Sequence, residues 1–393
     1  MEMKNIYKLL ALLISLISFA IIFTSLKDVK FYPQADEGHH LKYAYIIADK
    51  GIGEFPELFK EYIKNEKDWI FPPPIRVGYI LLSAGWFKVF GSSFGRLAEL
   101  SLISFFFFLL ISFYFAKKYF GEEMALLFLI LLAFSPLNMG MARRALTDST
   151  SNLFLSLSIW LFLDLLRNGG GLKYIAFILT YSFALLTRES NIFLSPVLIC
   201  YLGILRFILK KEVNLLHILS ITIFPALIMI VVLTILSAGQ FYETVRANAS
   251  TYQSNQYGIL FCSGPWFRYL IDWFILSPFT LILAIGFIFH YLTLNRKEES
   301  LIYFITIFCA LLLIFGMLSI KSVRYTIVLE TPIRLFSLLM LKALLTERLK
   351  FLMFGIIVLI AFLDYCNFRY LFVEKGIYDP VSFHLLRAKG IIP

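Results

Sequence analysis

The stretch FPPPIRVGYILLSAGWFKV, residues 71–89, decides how the rest of the chain is threaded. Three prolines, Pro72, Pro73 and Pro74, open it, and the apolar piece Val77 to Val89 follows, with Lys88 near its end. A helix needs about 20 apolar residues to cross roughly 30 Å of hydrocarbon, so this piece of about 13 is a poor spanner. It reads as a helix lying in the interface. Whether it spans sets the parity of every later segment.

The chain around it is built for lipid. Of 393 residues, 60% are apolar and 16% charged, with a mean hydropathy of +0.80. A soluble domain keeps roughly a quarter of its residues charged, so the polar surface here is too small to cover a water-facing globule. Apolar runs of about 16 to 25 residues recur between short charged loops, each long enough for a helical span. Strand alternation is absent, which leaves helices to satisfy the backbone in lipid. The first run, Ile6 to Leu26, is too long for a signal-peptide core and has no small-x-small site before Lys27. It predicts an uncleaved anchor.

With Lys4 and Lys8 cytoplasmic and the piece after the prolines lying flat, later spans fall near 97–116, 124–141, 150–166, 172–187, 191–209, 213–238, 267–292, 301–318, 324–345 and 351–371. The expected fold is an all-α polytopic membrane protein of about eleven transmembrane helices. Inner loops then hold Lys117, Lys118, Arg167, Lys173, Arg206, Lys210, Lys211, Arg296, Lys297, Arg348 and Lys350. Outer short loops hold Arg143, Arg144, Arg188, Arg246, Arg268, Lys321 and Arg324. That asymmetry is the positive-inside pattern. Twelve spans with the N-terminus outside is the alternative, and the short length of Val77 to Val89 argues against it. The expected location is a plasma or inner membrane.

The net charge of +10 is spread over these loops and not gathered on one basic face, so nucleic acid is not an expected partner. No GxGxxG or P-loop occurs. The four cysteines, Cys200, Cys262, Cys309 and Cys366, have no metal-ligand spacing. A Cys262–Cys366 bridge is conceivable, but free thiols are the expectation.

The polar residues that sit awkwardly in such a chain collect on the outer side. They are Asp36, Glu37, His39 and His40 after the first span, Arg143, Arg144 and Asp148 after the third, and Arg188 and Glu189 after the fifth. Arg324 and Tyr325 open the tenth, which also carries Glu330, Pro332 and Arg334. Each has a plain structural reading. Asp148 caps a helix, Arg143 and Arg144 snorkel to head groups, and Glu330 neutralises Arg334 one turn away. His39 and His40, with Asp36 and Glu37, are the only metal candidates, and adjacent histidines point apart on a helix. Asn248-Ala249-Ser250 matches the glycosylation acceptor pattern on an outer loop. Taken together, charges at membrane depth are costly and usually mark sites. Carboxylates beside several arginines suit general-base chemistry next to an anionic leaving group.

At these residues the chain resembles the GT-C superfamily of membrane glycosyltransferases, in the branch of protein O-mannosyltransferases and lipid A aminoarabinose transferases. That branch has an acidic pair after the first helix, matched by Asp36-Glu37, and then an amphipathic juxtamembrane helix, matched by about His39 to Lys50. Its Pro-Pro motif opens a second membrane-lying helix, matched by Phe71-Pro72-Pro73-Pro74 and Tyr79-Ile80-Leu81-Leu82. Its Arg-x-x-x-x-Asp exit is matched by Arg143 or Arg144 before Asp148. Leu186-Thr187-Arg188-Glu189 and Arg324-Tyr325 with Pro332 match its later motifs. One departure stands out: Phe71 replaces the histidine that usually begins the Pro-Pro motif.

The resemblance implies a GT-C-type fold with two juxtamembrane helices in the first outer loop, 27–96. Residues 1–238 would form the catalytic module, and 239–393 an outer loop and more variable C-terminal helices. It implies inverting transfer of a sugar from a polyprenyl-phosphate donor to a hydroxyl acceptor on the extracytoplasmic face. Asp36 would be the base, and Glu37 would orient the acceptor or raise the local basicity. Arg188 and Arg324, then Arg143 and Arg144, would meet the lipid phosphate, with Asp148, Glu189 and Tyr325 in the same site. No cofactor is required, although cousins that transfer oligosaccharides use a divalent metal. The loop 239–267 would be a lid or acceptor platform. The rival class is a multi-spanning transporter or lipid flippase, but no second half mirrors the first.

Overall fold

The computed structural model describes residues 3–251, 258, 262–294, 298–345, 349–388 and 390. Helices dominate, and no strand occurs among the described residues. By length and composition seven helices can cross a membrane: Ile6–Asp28, Phe94–Phe120, Asp148–Asn168, Glu189–Ile208, Leu215–Leu236, Glu299–Met317 and Lys350–Glu374. A bent pair, Glu122–Ala133 and Pro136–Ala142, makes an eighth, with an angle of 60° between its halves. Pro136 has no N–H to continue the ladder, and Ser135 caps the second half by accepting from Asn138 N at 3.4 Å.

The expected count of eleven needs three more crossings, and those segments are shorter or broken. They form Gly171–Thr187, Pro278–Thr293 after the separate helix Arg268–Leu276, and Glu330–Leu344. Val77–Phe90 is a 14-residue helix packed against Asp36–Lys50, in keeping with a membrane-lying role. Covering differs sharply between spans. Leu215–Leu236 is 22% buried and Asp148–Asn168 is 78% buried, so the first presents its apolar surface outward as a lipid-facing helix does.

The chain divides into two units. One comprises Met1–Val29, Ser104–Arg143 and Gly264–Pro393. Within it the first helix is tied to the bent pair by Ser18 Oγ, which donates to Ala133 O at 2.6 Å. Its interior holds a polar knot. Arg334, with no exposed surface, donates to Glu330 at 2.9 Å, Thr280 Oγ1 at 2.8 Å, Ser277 Oγ at 2.8 Å and Asp364. Ser135 Oγ donates to Glu330 at 2.9 Å. The expected pairing of Glu330 with Arg334 is therefore part of a larger network.

The other unit comprises Lys30–Ile103 and Arg144–Ser263. Its juxtamembrane helices are glued by Tyr43, Ile47, Phe55, Leu58, Phe59, Val77, Ile80 and Ala84, which pack with Leu186 and Leu233. Gly78 lets Val77–Phe90 approach closely, since a Cβ there would lie 3.1 Å from Leu186 Cβ and 3.2 Å from its carbonyl carbon. That contact lies just before Thr187 and Arg188. All four cysteines are free thiols.

Candidate active site

The site is built at the entrance to the helix Asp36–Lys50. Both acidic residues lie in its first turn, where the partial positive charge of the helix end favours carboxylates. The preceding turn folds tightly: Ala35 N donates to Tyr32 O at 3.1 Å, and Gly38 N to Ala35 O at 2.9 Å. Gly38 is required there. A Cβ would stand 1.7 Å from the carbonyl oxygen of Pro33, so only glycine lets the turn fold back on the helix.

Asp36 and Glu37 have different surroundings. Glu37 is 1% exposed, and both its oxygens are committed. It accepts from Arg144 Nε at 2.7 Å, Ala145 N at 3.2 Å and Tyr32 N at 3.0 Å. Asp36 is half-buried at the helix start. Glu37 thus fixes the turn and Arg144, while Asp36 is less covered than its neighbour.

Arg143 and Arg144, indistinguishable in sequence, divide. Arg144 joins Glu37 and lies over the Tyr32 ring, 5.5 Å from its centroid. Arg143 closes the other unit, donating to Phe372 O at 2.7 Å and Ser25 O at 2.6 Å. Those main-chain carbonyls at the ends of two helices take its guanidinium. Arg143, with four residues between it and Asp148, has the Arg-x-x-x-x-Asp spacing, while Arg144 is the one that binds Glu37.

Asp148 begins the helix Asp148–Asn168 and accepts from Arg188 Nη1 at 2.6 Å, with both side chains almost fully covered. Arg188 is held in extended backbone after Gly171–Thr187. Asn191 pins the loop by donating to Ala184 O at 2.7 Å and Ser151 Oγ at 2.9 Å. Glu189 accepts from Arg76 Nε at 2.8 Å. Arg76 was missed in the sequence because it reads as the flank of a proline run, yet it brings the Pro-Pro segment to the Arg188 loop. Its position, a lone arginine before an apolar membrane-lying helix, was the available signal.

The histidines do not converge. His39 stacks on Phe71, 4.4 Å between centroids, and His40 meets Tyr79 edge-on at 5.1 Å. Burial pushes the His39 pKa below its usual value, which favours the neutral ring. Among the described residues no three His, Cys, Asp or Glu side chains gather as a metal site.

A helix of the loop 239–267, Phe241–Thr251, docks on the segment before Pro72. Asn248 Nδ2 donates to Trp69 O at 2.8 Å and Tyr62 OH at 3.2 Å, and Thr251 Oγ1 donates to Trp69 O at 3.0 Å. The amide that glycosylation would modify is thus engaged in holding the loop. Residues 252–257 and 259–261 of the expected lid lie outside the described residues, as do the inner-loop charges Arg296, Lys297 and Arg348. Arg324 and Tyr325 belong to the other unit, half-buried at the start of the short helix Val323–Leu329.

The helical architecture is similar in fold to two solved structures, ArnT and an archaeal oligosaccharyltransferase. Residues 74–235 match the model of the dolichyl-phosphate-mannose-protein mannosyltransferase family. Among solved structures the chain is similar to ArnT from Cupriavidus metallidurans bound to undecaprenyl phosphate, with a TM-score of 0.55 and 15% identity over 87% of this chain and 61% of that one. The same protein in the apo state matches with a TM-score of 0.51 and 15% identity, over 77% of this chain and 56% of that one. The oligosaccharyltransferase of Archaeoglobus fulgidus, solved with zinc and sulfate, matches with a TM-score of 0.50 and 12% identity, over 81% of this chain and 48% of that one. The chain therefore spans less than two thirds of the length of these structures. No curated protein sequence matches it.

Proposed function

We propose that this chain is a glycosyltransferase that moves a sugar from a polyprenyl-phosphate carrier to a hydroxyl acceptor on the extracytoplasmic face. Residues 1–238 form its transferase module. The observation that carries this reading is the acidic pair at the start of the helix Asp36–Lys50, in which Glu37 is locked by Arg144 and two main-chain amides and Asp36 is half-buried beside it. Asp36 takes the proton of the acceptor hydroxyl as its oxygen attacks the anomeric carbon. The carbon–oxygen bond to the carrier phosphate breaks on the opposite face, inverting the configuration. A base so placed contributes about 10² to 10⁴ in rate.

The leaving group is an anionic lipid phosphate in a poorly hydrated setting, where fixed cations stabilise developing charge strongly. Arg188 is the candidate in this unit, oriented by Asp148. Arg324 and Tyr325 are assigned to the phosphate on the resemblance alone. Glu37, Arg144, Arg76 and Glu189 are positioning residues, since their charges are already matched to one another. The ArnT structure with undecaprenyl phosphate supports a polyprenyl carrier for this fold.

The test is to give the purified full chain a panel of polyprenyl-phosphate sugars and hydroxyl acceptors. Release of polyprenyl phosphate with an inverted glycoside as product is expected, and Arg188→Ala should raise the donor concentration needed. Turnover of no donor, with lipid translocation in its place, would move the chain to the flippase class.

A further inference from the structure

His39 follows Asp36 by one turn on the helix Asp36–Lys50. Side chains three apart on a helix share a face, with about 5–6 Å between their Cβ atoms. Burial favours the neutral His39 ring, against the charges of Asp68 and Asp36 and together with that of Lys42. A neutral imidazole has one N–H and one acceptor nitrogen, and each wants a partner. The Nδ1 of His39 is buried and has no hydrogen-bond partner among the described residues. A buried polar atom left in that state costs about 1–3 kcal/mol.

The ring is held where it stands. It stacks on Phe71 with 4.4 Å between centroids and 22° between planes, and Tyr43 meets it at 6.0 Å. Phe71 is pinned in turn: Tyr62 OH donates to Phe71 O at 3.1 Å, and Tyr43 OH donates to Pro72 O at 3.3 Å. Both tyrosines are buried. All of these residues belong to the unit that contains Asp36. The helices Asp36–Lys50 and Phe55–Lys64 and the Pro-Pro segment thus fix one imidazole beside the acidic turn and leave its Nδ1 unanswered.

We infer that His39 is an acceptor-specificity residue, which hydrogen-bonds a second hydroxyl of the acceptor beside the hydroxyl that Asp36 deprotonates. The inference rests on the function proposed above and adds the class of acceptor, a polyol of the carbohydrate kind with neighbouring hydroxyls. The attacked hydroxyl gives its single proton to Asp36 while its oxygen bonds to the anomeric carbon, so it has none to donate to a ring nitrogen. A neighbouring hydroxyl both donates and accepts, and it therefore suits either tautomer of the neutral ring.

The experiment uses the full chain in phosphatidylcholine nanodiscs, with the polyprenyl-phosphate sugar that the donor panel identifies. Acceptors with neighbouring hydroxyls, octyl glucoside and octylglycerol, are compared with acceptors that carry one, octanol and a threonine peptide. The first pair should be preferred in kcat/KM. His39→Phe, which keeps a ring against Phe71, should raise the KM for that pair about 3- to 10-fold, as expected for loss of one uncharged hydrogen bond. The donor KM and the KM for octanol should stay where they are, and His39→Gln should restore most of the lost affinity. The Tm of His39→Phe at neutral pH should be unchanged or higher, since the substitution removes an unanswered buried nitrogen. An unchanged KM for octyl glucoside and octylglycerol in His39→Phe overturns the inference and leaves the proposed function standing. A wild-type preference for octanol or the threonine peptide does the same. A sharp fall in Tm for both His39→Phe and His39→Gln makes the histidine structural and overturns it too. Turnover of no donor with any acceptor removes both readings.

Discussion

Two sets of buried charges, one in each unit, show how differently the same residue types can be used. In the unit containing Gly264–Pro393, Arg334 is enclosed by Glu330, Asp364, Ser277 and Thr280, and each of its three side-chain nitrogens has a partner. The knot ties the helices that carry these residues together. In the unit containing Asp36, the charges are matched in separate pairs, Glu37 with Arg144, Asp148 with Arg188 and Glu189 with Arg76. Pairs of this kind bring a loop to a helix end at each contact, and Asp36, beside Glu37, is half-buried. A closed network holds a fold together; separate pairs beside a half-buried carboxylate are what the proposed site requires.

The sharpest way to break the first set is Arg334→Met. It strands two carboxylates in the interior and should cost about 3–5 kcal/mol, read as a large drop in Tm in detergent. The same variant should keep its transfer rate per folded molecule, and a selective loss of transfer would blur the contrast. Gly38→Ala attacks the second set. The clash with the Pro33 carbonyl is with backbone and cannot be relieved by a rotamer, so a cost of about 1–3 kcal/mol is expected, together with loss of transfer as the acidic turn shifts. Asn248→Ala removes the hydrogen bonds that dock Phe241–Thr251 on the segment before Pro72. It should lower stability by about 1 kcal/mol, and mass spectrometry should find no glycan on Asn248 in the wild type.

The smallest effect concerns pH. Burial lowers the pKa of His39, so the unfolded chain binds its proton more readily than the folded one. Stability should therefore fall as pH drops below the ordinary histidine value of about 6.5. His39→Phe, which keeps a ring against Phe71, should flatten that part of the Tm-against-pH curve.

Much of the site was legible because helix-end chemistry is local. Asp36 and Glu37 follow a span, Asp148 starts one, and Arg188 ends another, so periodicity alone put them at boundaries. The unequal surroundings of Asp36 and Glu37 were not legible, because they depend on a turn that only Gly38 permits and on an arginine more than 100 residues away. The split of Arg143 from Arg144 was hidden for a related reason: adjacent side chains at a helix exit diverge according to backbone angles that the sequence does not state. The sequence does not state where the later apolar segments break. Ser277 and the short run Glu330–Leu344 interrupt segments that hydropathy treats as continuous. The C-terminal segment carried no motif, since Asp379, which accepts from Val323 N at 3.2 Å, tethers a distant loop and leaves no local pattern.

The central claim is that Asp36 does the chemistry and Glu37 the positioning. The most direct measurement is the single-turnover transfer rate of Asp36→Asn in enzyme saturated with the lipid donor. A fall of about 10²-fold or more with donor binding unchanged is the predicted result. A wild-type rate from Asp36→Asn would contradict it.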